Sequence, residues 1–230
     1  MAKKAFFVTG TDTNVGKTLI AAGLLVAAKN KGLTTVALKP VAAGCEKMDN
    51  GLRNSDALIL QSVITQKLDY DQINPYALEA AIAPHIAAQQ EKRSLSVDRL
   101  SGFCRGILSS ANVTLVEGAG GWRVPINSHE TMADLAKNLQ LPVILVVGVR
   151  LGCINHALLT IEAVMRDGLP VAGWVANCID AQMPVLQDNI DSLRVRIAAP
   201  CLGVVPFLNE CAPDSVAHYF DDAELNKLFQ

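Results

Sequence analysis

The sequence has little charge and no strong imbalance of sign. Charged residues make up 18% of its 230 positions, and 20 basic against 22 acidic side chains leave a formal net charge of −2. Nucleic-acid-binding domains usually carry a basic patch or a pI above about 9, so this balance argues against such a partner. No apolar run approaches the roughly 20 residues of a membrane span, and the apolar stretch at residues 5–8 is too short for the core of an export signal. We therefore expect a cytoplasmic protein that contacts neither a membrane nor nucleic acid.

Cysteine and histidine patterns typical of metal or redox sites are also missing. The six cysteines include no C-x-x-C pair, and none of the four histidines stands at metal-ligand spacing. In a chain without an export signal, buried reduced thiols are the expected state of the cysteines. There is no G-x-S-x-G nucleophile motif either, so the sequence does not indicate the chemistry of a serine hydrolase.

What the chain has instead is an excess of apolar side chains, 50% of all residues. They form β-branched runs, typical of strands, at residues 5–9, 34–39, 113–117, 142–149, 170–177 and 201–205. Between these runs, helices are predicted at residues 17–31, 56–61, 97–111, 132–139, 154–167 and 184–196. Most of the strand segments lack polar alternation, which is typical of parallel strands covered on both faces. The alternation predicts an α/β fold, one domain over residues 1–230, with a mostly parallel central sheet and helices on both faces.

A glycine-containing segment, VTGTDTNVGKT at residues 8–18, joins the first predicted strand to the first predicted helix. Gly16, Lys17 and Thr18 form the GK[ST] element of a P-loop. In that motif, N–H groups at a helix start face phosphate oxygens, the lysine supplies positive charge and the hydroxyl completes a magnesium shell. Five residues rather than four separate Gly10 from Gly16, which departs from the general spacing. The segment predicts a P-loop NTPase-like domain that binds a nucleoside triphosphate.

Further polar side chains follow predicted strands, at the sheet edge where ligands bind in parallel α/β folds. Glu117 precedes glycine-rich residues 118–121 and occupies the usual place of a second magnesium ligand. Lys39 is either a solvated lysine at a strand end or a cation for a transferring phosphoryl group. Asp56 either complements the dipole of a helix start or faces the metal. Asn177 either pairs with an adenine edge or forms a turn.

Six motifs occur in order between about residues 9 and 208: GTDTNVGKT, LKPVAAG, GLRNSDA, VEGAGGW, LPVILVVGVRLGCINHALLT and GWVAN. As a set they resemble the dethiobiotin synthetase family, the ATP-dependent carboxylases that close the ureido ring in biotin synthesis. The resemblance implies that 7,8-diaminononanoate, CO2 and ATP react through a carbamate and a carbamic-phosphoric anhydride to give dethiobiotin, ADP and phosphate. It also implies Mg²⁺ as a cofactor and a homodimer. The resemblance does not cover the residues after Asn209.

Carried over position by position, the resemblance implies three groups of site residues. Lys39 and Lys17 are the implied catalytic residues, and the implied magnesium ligands are Thr18, Asp56 and Glu117. Nucleotide contacts are implied for Thr13, Asn14, Val15, Gly16, Lys17, Thr18, Leu19, Asp56, Glu117, Gly118, Ala119, Gly120, Asn177, Pro206, Phe207 and Leu208. Substrate contacts are implied for Thr11, Lys39, Ala43, Gly118, Gly152, Cys153, Ile154 and Asn155. The last four open a predicted helix, whose free N–H groups suit a carboxylate. In the family, the neighbouring subunit helps to bind the carboxylate tail of the substrate.

The sequence departs from the family at Ala43, where the family commonly has a serine that contacts the substrate. One lost hydrogen bond is worth on the order of 0.5–1.5 kcal/mol, so we expect slower turnover rather than none. Two alternatives stay open from the sequence: a P-loop switch ATPase of the partitioning type, and a divergent paralogue that acts on another diamine. Asp12 argues against the first, because those ATPases carry a signature lysine at that position.

Overall fold

The fold is organised around a sheet of six parallel strands. In this computed structural model, which describes residues 3–230, the elements are β1 (Lys4–Gly10), α1 (Lys17–Asn30), β2 (Thr35–Leu38), β3 (Val41–Ala43), β4 (Glu46–Met48), β5 (Gly51–Arg53), α2 (Ser55–Val63), α3 (Tyr70–Ile73), β6 (Tyr76–Leu78), α4 (Pro84–Gln90), α5 (Val97–Arg105), β7 (Val113–Gly121), α6 (Met132–Leu139), β8 (Val143–Val149), α7 (Cys153–Arg166), β9 (Val171–Cys178), α8 (Leu186–Arg196), β10 (Cys201–Val205), α9 (Pro213–Ala217) and α10 (Asp222–Phe229). The main sheet has the order β10–β9–β8–β1–β7–β2, with every pairing parallel. Outside it, β3 pairs with β6 and β4 pairs with β5.

The main strands are apolar because both faces of the sheet are covered. All seven residues of β8 are buried. In β1, Phe6 and Val8 belong to one buried cluster and Phe7 to another, as expected when successive side chains of a strand point to opposite faces. The cluster of Phe6 includes α1, and the cluster of Phe7 includes α6. The predicted α/β fold, with a parallel central sheet and helices on both faces, is confirmed.

The residues after Asn209, which the resemblance did not cover, complete the core beside α1. Val216, Phe220, Leu225 and Phe229 are buried in the same cluster as the apolar side chains of α1. At Gly23 in α1, an added Cβ would lie 2.7 Å from a methyl group of Val216. The absence of a side chain at Gly23 therefore lets α9 pack directly on α1.

Several predicted boundaries were wrong, for identifiable local reasons. The helix predicted at residues 97–111 ends at Arg105, where Gly106 takes the C-cap position. The strand predicted at residues 113–117 continues through the glycine-rich residues 118–121, and Gly121 pairs with Gly10 of β1 after a shift in register between Val8 and Gly10. The helix predicted from residue 184 starts at Leu186. The short elements β3 to β6, α3 and α4 were not predicted, since segments of three to seven residues are too short to show a period.

The longest helices are α1 and α7, with 14 residues each. A straight helix of that length measures about 21 Å, at 1.5 Å per residue. In the described part of the chain, no helix combines the length and the apolar character needed to cross a membrane.

Candidate nucleotide and substrate site

The loop between β1 and α1 has a backbone shaped to receive an anion. Asn14 and Gly16 have left-handed conformations, with φ of 58° and 84°, and no side chain caps the first turn of α1. The Lys17 ammonium donates a hydrogen bond to the Asp12 carbonyl at 3.0 Å, across the loop. Burial, reinforced by repulsion from Lys39, lowers the pKa of Lys17 to about 8. The loop thus offers backbone N–H groups and a buried cation, the combination that favours phosphate.

The structure brings Thr18, Lys39, Asp56 and Glu117 together at the carboxyl edge of the sheet. Lys39 Nζ lies 2.5 Å from Glu117 Oε1 and 3.4 Å from Asp56 Oδ2, and it donates to the Gly118 carbonyl at 3.0 Å. Thr18 Oγ1 donates to the same Glu117 oxygen at 2.8 Å. The side chain of Lys39 is only 4% exposed, so the alternative of a solvated strand-end lysine is wrong.

Asp56 lies in the first turn of α2, where its charge complements the helix dipole, and its role as a metal ligand stays a prediction. Its backbone N–H donates to the side chain of Asn54, the N-cap of α2, at 3.0 Å. Its carboxylate, 41% exposed, faces Lys39. Burial alone would lower the pKa of Lys39, but the charges and hydrogen bonds of Glu117 and Asp56 outweigh burial and raise it. Lys39 is therefore a permanently protonated cation at neutral pH.

One atom of this cluster is unsatisfied in a way that fits a divalent cation. Glu117 Oε2 is buried and has no hydrogen-bond partner within residues 3–230, a costly state for a carboxylate oxygen. Hydroxyl and carboxylate oxygens of Thr18 and Asp56 belong to the same cluster, and Mg²⁺ prefers oxygen ligands. The described residues contain no group of three His, Cys, Asp or Glu side chains that could hold a metal alone. The residues present suit a Mg²⁺ ion that also takes oxygens from water and phosphate.

The residues expected around adenine lie next to the phosphate loop. A cavity of about 220 Å³ is lined by Asn14, Gly16, Leu19, Asn177, Cys178, Ile179, Val205, Pro206, Phe207, Leu208 and Cys211. Asn177 lies within β9, so its interpretation as a turn residue is wrong. Its Nδ2 donates to the Val15 carbonyl at 2.9 Å, and its Oδ1 has no hydrogen-bond partner within residues 3–230. A wider cavity of about 740 Å³, at the β4–β5 hairpin and α2, has none of the predicted site residues in its lining.

The glycines of β7 allow a close approach between β7 and the neighbouring chain. An added Cβ at Gly118 would lie 3.1 Å from the ring of Phe7. At Gly120, whose φ is 63°, it would lie 2.7 Å from Val124 and 3.3 Å from the Thr13 hydroxyl. Gly118 therefore lies directly against β1, and Gly120 lies beside Thr13 of the phosphate loop.

The remaining predicted substrate residues occupy three places. Thr11 Oγ1 accepts a hydrogen bond from the backbone N–H of Gly148 in β8, at 3.3 Å. Ala43 ends β3, and its carbonyl accepts from Asn54 Nδ2 at 3.4 Å. The third place is the start of α7, with Gly152 as its N-cap and Cys153, Ile154 and Asn155 in its first turn. In the described part of the chain, no hydrogen bond joins these last four residues to the phosphate loop or to Lys39.

The sequence gives no sign of the buried polar side chains behind the cluster. Asn74 Nδ2 donates to the backbone carbonyl of Lys39 at 2.7 Å. The Tyr70 hydroxyl donates to Asn74 Oδ1 at 3.0 Å and accepts from the backbone N–H of Asn54 at 2.7 Å. Tyr70 is the first residue of the four-residue helix α3 and Asn74 is its C-cap. Nothing in the sequence connects that helix with a lysine more than thirty positions earlier.

Comparisons with known proteins agree over nearly the whole chain. Residues 4–215 match a family model described as an AAA domain. The ATP-dependent dethiobiotin synthetase BioD of Cellvibrio japonicus is 66% identical over 221 residues, which cover 96% of this chain and 97% of that protein. The protein of the same name from Marinobacter nauticus is 57% identical over 210 residues, 90% of each chain.

Solved structures of low sequence identity share the fold. A ParA family ATPase from Chlorobium tepidum TLS has a TM-score of 0.57 at 13% identity, with 99% of this chain and 97% of that chain covered. The MinC:MinD cell division complex of Aquifex aeolicus gives 0.56 at 17% identity, covering 94% and 86%. At such identities the likeness concerns the fold alone.

Proposed function

The chain belongs to the dethiobiotin synthetase family, and we propose that it carboxylates 7,8-diaminononanoate and closes its ureido ring, giving dethiobiotin, ADP and phosphate. The high identity to dethiobiotin synthetases makes it an ATP-dependent ligase of biotin biosynthesis. The observation that best supports the proposed chemistry is the buried Lys39 ammonium, paired with Glu117 and Asp56 beside the phosphate loop.

The proposed reaction phosphorylates a carbamate, which forms from CO2 and one amine of the substrate. The second amine then attacks the carbamic-phosphoric anhydride, and phosphate leaves. Negative charge accumulates on the transferring phosphoryl group, and Lys17 and Lys39 are placed to neutralise it. No side chain needs to form a covalent intermediate, so the protein acts by positioning and by fixed charge.

Lys39 serves in this proposal as a cation and not as a base. Glu117 and Asp56 raise the pKa of Lys39 despite its burial, so the Lys39 side chain is protonated near neutral pH and cannot accept a proton. The residues that would hold Mg²⁺ are Thr18, Asp56 and Glu117, and the ion would supply further positive charge to the phosphates. The buried, unpaired Glu117 Oε2 supports this assignment.

Nucleotide recognition is assigned to Asn177 and the segment Pro206 to Leu208, together with the loop from Thr13 to Leu19. Because Asn177 Nδ2 is already bonded to the Val15 carbonyl, we assign its Oδ1, a hydrogen-bond acceptor, to the base in the cavity that this residue lines. An acceptor suits the 6-amino group of adenine and opposes the 6-oxo group of guanine. We therefore propose a preference for ATP over GTP.

The substrate carboxylate is assigned to the start of α7, presented by a neighbouring subunit in a homodimer. The backbone N–H groups of Ile154 and Asn155 have no hydrogen-bond partner within residues 3–230, whereas that of Cys153 donates to the Arg150 carbonyl at 3.0 Å. The two free N–H groups suit an anion. Leu151, Leu159 and Met165 are 92%, 56% and 66% exposed around this helix, and an interface would cover such apolar side chains. A KM for the diamine that is unchanged in Cys153→Pro would count against this role. The cytoplasmic location and the organisation as one domain over residues 1–230 stay predictions.

A direct assay tests the reaction. The purified protein is incubated with 7,8-diaminononanoate, bicarbonate, Mg²⁺ and ATP, and dethiobiotin is sought by mass spectrometry. We expect dethiobiotin and ADP in equal amounts, with neither formed when the diamine is omitted. Phosphate release that needs neither diamine nor bicarbonate would contradict the proposal and favour a switch ATPase. Turnover of a different diamine alone would favour a divergent paralogue.

A further inference from the structure

Lys39 and Asp56 come from separate parts of the chain, at the end of β2 and the start of α2. The buried hydroxyl of Tyr70 connects the two residues, Asn54 and Asn74, whose side chains hydrogen-bond to the backbones of Asp56 and Lys39. Tyr70 Oη accepts from the backbone N–H of Asn54 at 2.7 Å and donates to Asn74 Oδ1 at 3.0 Å. Asn54 Oδ1 accepts from the N–H of Asp56, and Asn74 Nδ2 donates to the carbonyl of Lys39. The hydroxyl is thus the middle link between the two backbone segments.

The surroundings of Tyr70 fix this hydroxyl in place. Tyr70 is 7% exposed, and Asn54 and Asn74 are 6% and 2% exposed. The ring packs with Ala57 and Ile73, and the Arg53 guanidinium lies 4.1 Å from its centroid. A buried hydroxyl needs hydrogen-bond partners in any protein. What distinguishes this one is that both partners lead directly to residues of the proposed phosphoryl-transfer site.

We propose that the Tyr70 hydroxyl is a positioning group for the reaction, which holds the Lys39 ammonium and the Asp56 carboxylate in their relative places. The two charged groups are 3.4 Å apart. Asn54 extends the same network to the substrate loop, because its Nδ2 also donates to the Ala43 carbonyl. The inference rests on the proposed function, since that function assigns Lys39 and Asp56 their roles.

The phosphate loop lies outside this network. In the described part of the chain, no hydrogen bond joins Asn54, Tyr70 or Asn74 to residues 11–18. Loss of the Tyr70 hydroxyl should therefore impair the chemical step and the response to Mg²⁺, through Lys39 and Asp56, and leave contacts with the phosphates in place. A purely structural role predicts instead that all properties decline together with thermal stability.

The test compares Tyr70→Phe with Tyr76→Phe. Tyr76 is a matched control, because an arginine, Arg93, also lies over its ring, at 5.0 Å, and its hydroxyl has no hydrogen-bond partner within residues 3–230. For Tyr70→Phe we expect kcat to fall on the order of tenfold, as for a misplaced catalytic group, with the KM for ATP at saturating Mg²⁺ within about twofold of the wild type. We expect Tyr76→Phe to match the wild type.

A second measurement does not depend on turnover. Calorimetric binding of ADP is followed as a function of Mg²⁺ concentration, and the concentration that gives half of the maximal effect should rise several-fold in Tyr70→Phe. Asn74→Ser breaks the network at its other end, because serine is too short to reach the Lys39 carbonyl, and should show the same two changes. If Tyr70→Phe does not fold, Asn74→Ser supplies the result.

The outcomes separate this inference from the proposed function. A wild-type protein that makes no dethiobiotin contradicts the function, whereas the Mg²⁺ dependence of ADP binding is measured without the diamine. The inference is wrong if the folded Tyr70→Phe and Asn74→Ser proteins match Tyr76→Phe in kcat and in Mg²⁺ response. It is equally wrong if ADP binding at saturating Mg²⁺ is lost in parallel with kcat.

Discussion

Nucleotide binding should take up a proton at mildly alkaline pH, because Lys17 is buried before any phosphate arrives. Burial and the nearby Lys39 ammonium lower the pKa of Lys17 to about 8 in the free protein. Bound phosphates add negative charge beside the ammonium and stabilise its protonated form. The pKa of Lys17 must therefore rise when the nucleotide binds, and the perturbation that reveals this rise is pH.

The magnitude follows from the pKa of the free state. With a value of about 8, about half of the Lys17 side chains are neutral at pH 8 and about nine-tenths at pH 9. If only the ammonium form binds phosphate well, uptake is about 0.5 proton per ADP at pH 8, and the Kd for ADP is about tenfold weaker at pH 9 than at pH 7. The nucleotide itself contributes little here, because phosphate groups have a second pKa of about 6.

Isothermal titration calorimetry of ADP and Mg²⁺ in two buffers of different ionisation enthalpy gives the number of protons taken up at each pH. Lys17→Arg is the control, because guanidinium stays charged in this range and should remove both the uptake and the pH dependence. A partly neutral Lys17 in the free protein is ruled out if the wild type takes up no proton at pH 8, or if its Kd for ADP is constant from pH 7 to pH 9. Proton uptake that persists in Lys17→Arg would likewise show that another group takes up the proton.

Three further predictions concern Lys39, Ala43 and the carboxyl-terminal helices. Lys39→Gln should lower kcat at least about 100-fold, as removal of one group that stabilises a transition-state charge does, while calorimetry shows ADP still bound; near-normal turnover would refute its role. Ala43→Ser should raise kcat/KM several-fold by restoring one hydrogen bond to substrate, and no change would refute that contact. Phe220→Ala should lower the Tm by about 10 °C, since large core truncations cost about 3–5 kcal/mol, with kcat/KM little changed; a shift below about 2 °C in differential scanning calorimetry would contradict its place in the core.

The sequence predicted the long helices and the apolar strands that alternate with them along the chain. Strands such as β8 are apolar throughout, and the GKT element marks the start of α1, so the parallel sheet and its first helix could be predicted from local pattern. The carboxyl-terminal helix α9 could not, because its partner is the glycine-containing face of α1, nearly 200 positions away. Burial of Phe220 depends on that distant contact, and the five residues of α9 are too few to show a periodic pattern.

The same distinction between local pattern and distant packing applies to the residues of the proposed site. Residues that carry charge at strand ends, such as Lys39 and Glu117, are visible in the sequence because the edge of a parallel sheet brings strand ends together wherever they lie in the chain. The residues that orient them are neutral, buried and set in segments too short to show a period, as Tyr70 and Asn74 are. A hydrogen bond from Asn74 to the carbonyl of Lys39 depends on packing between segments that have no common periodicity. Chemistry could therefore be predicted from residue type and position, whereas the distances that make it efficient depend on side chains that only the folded structure identifies.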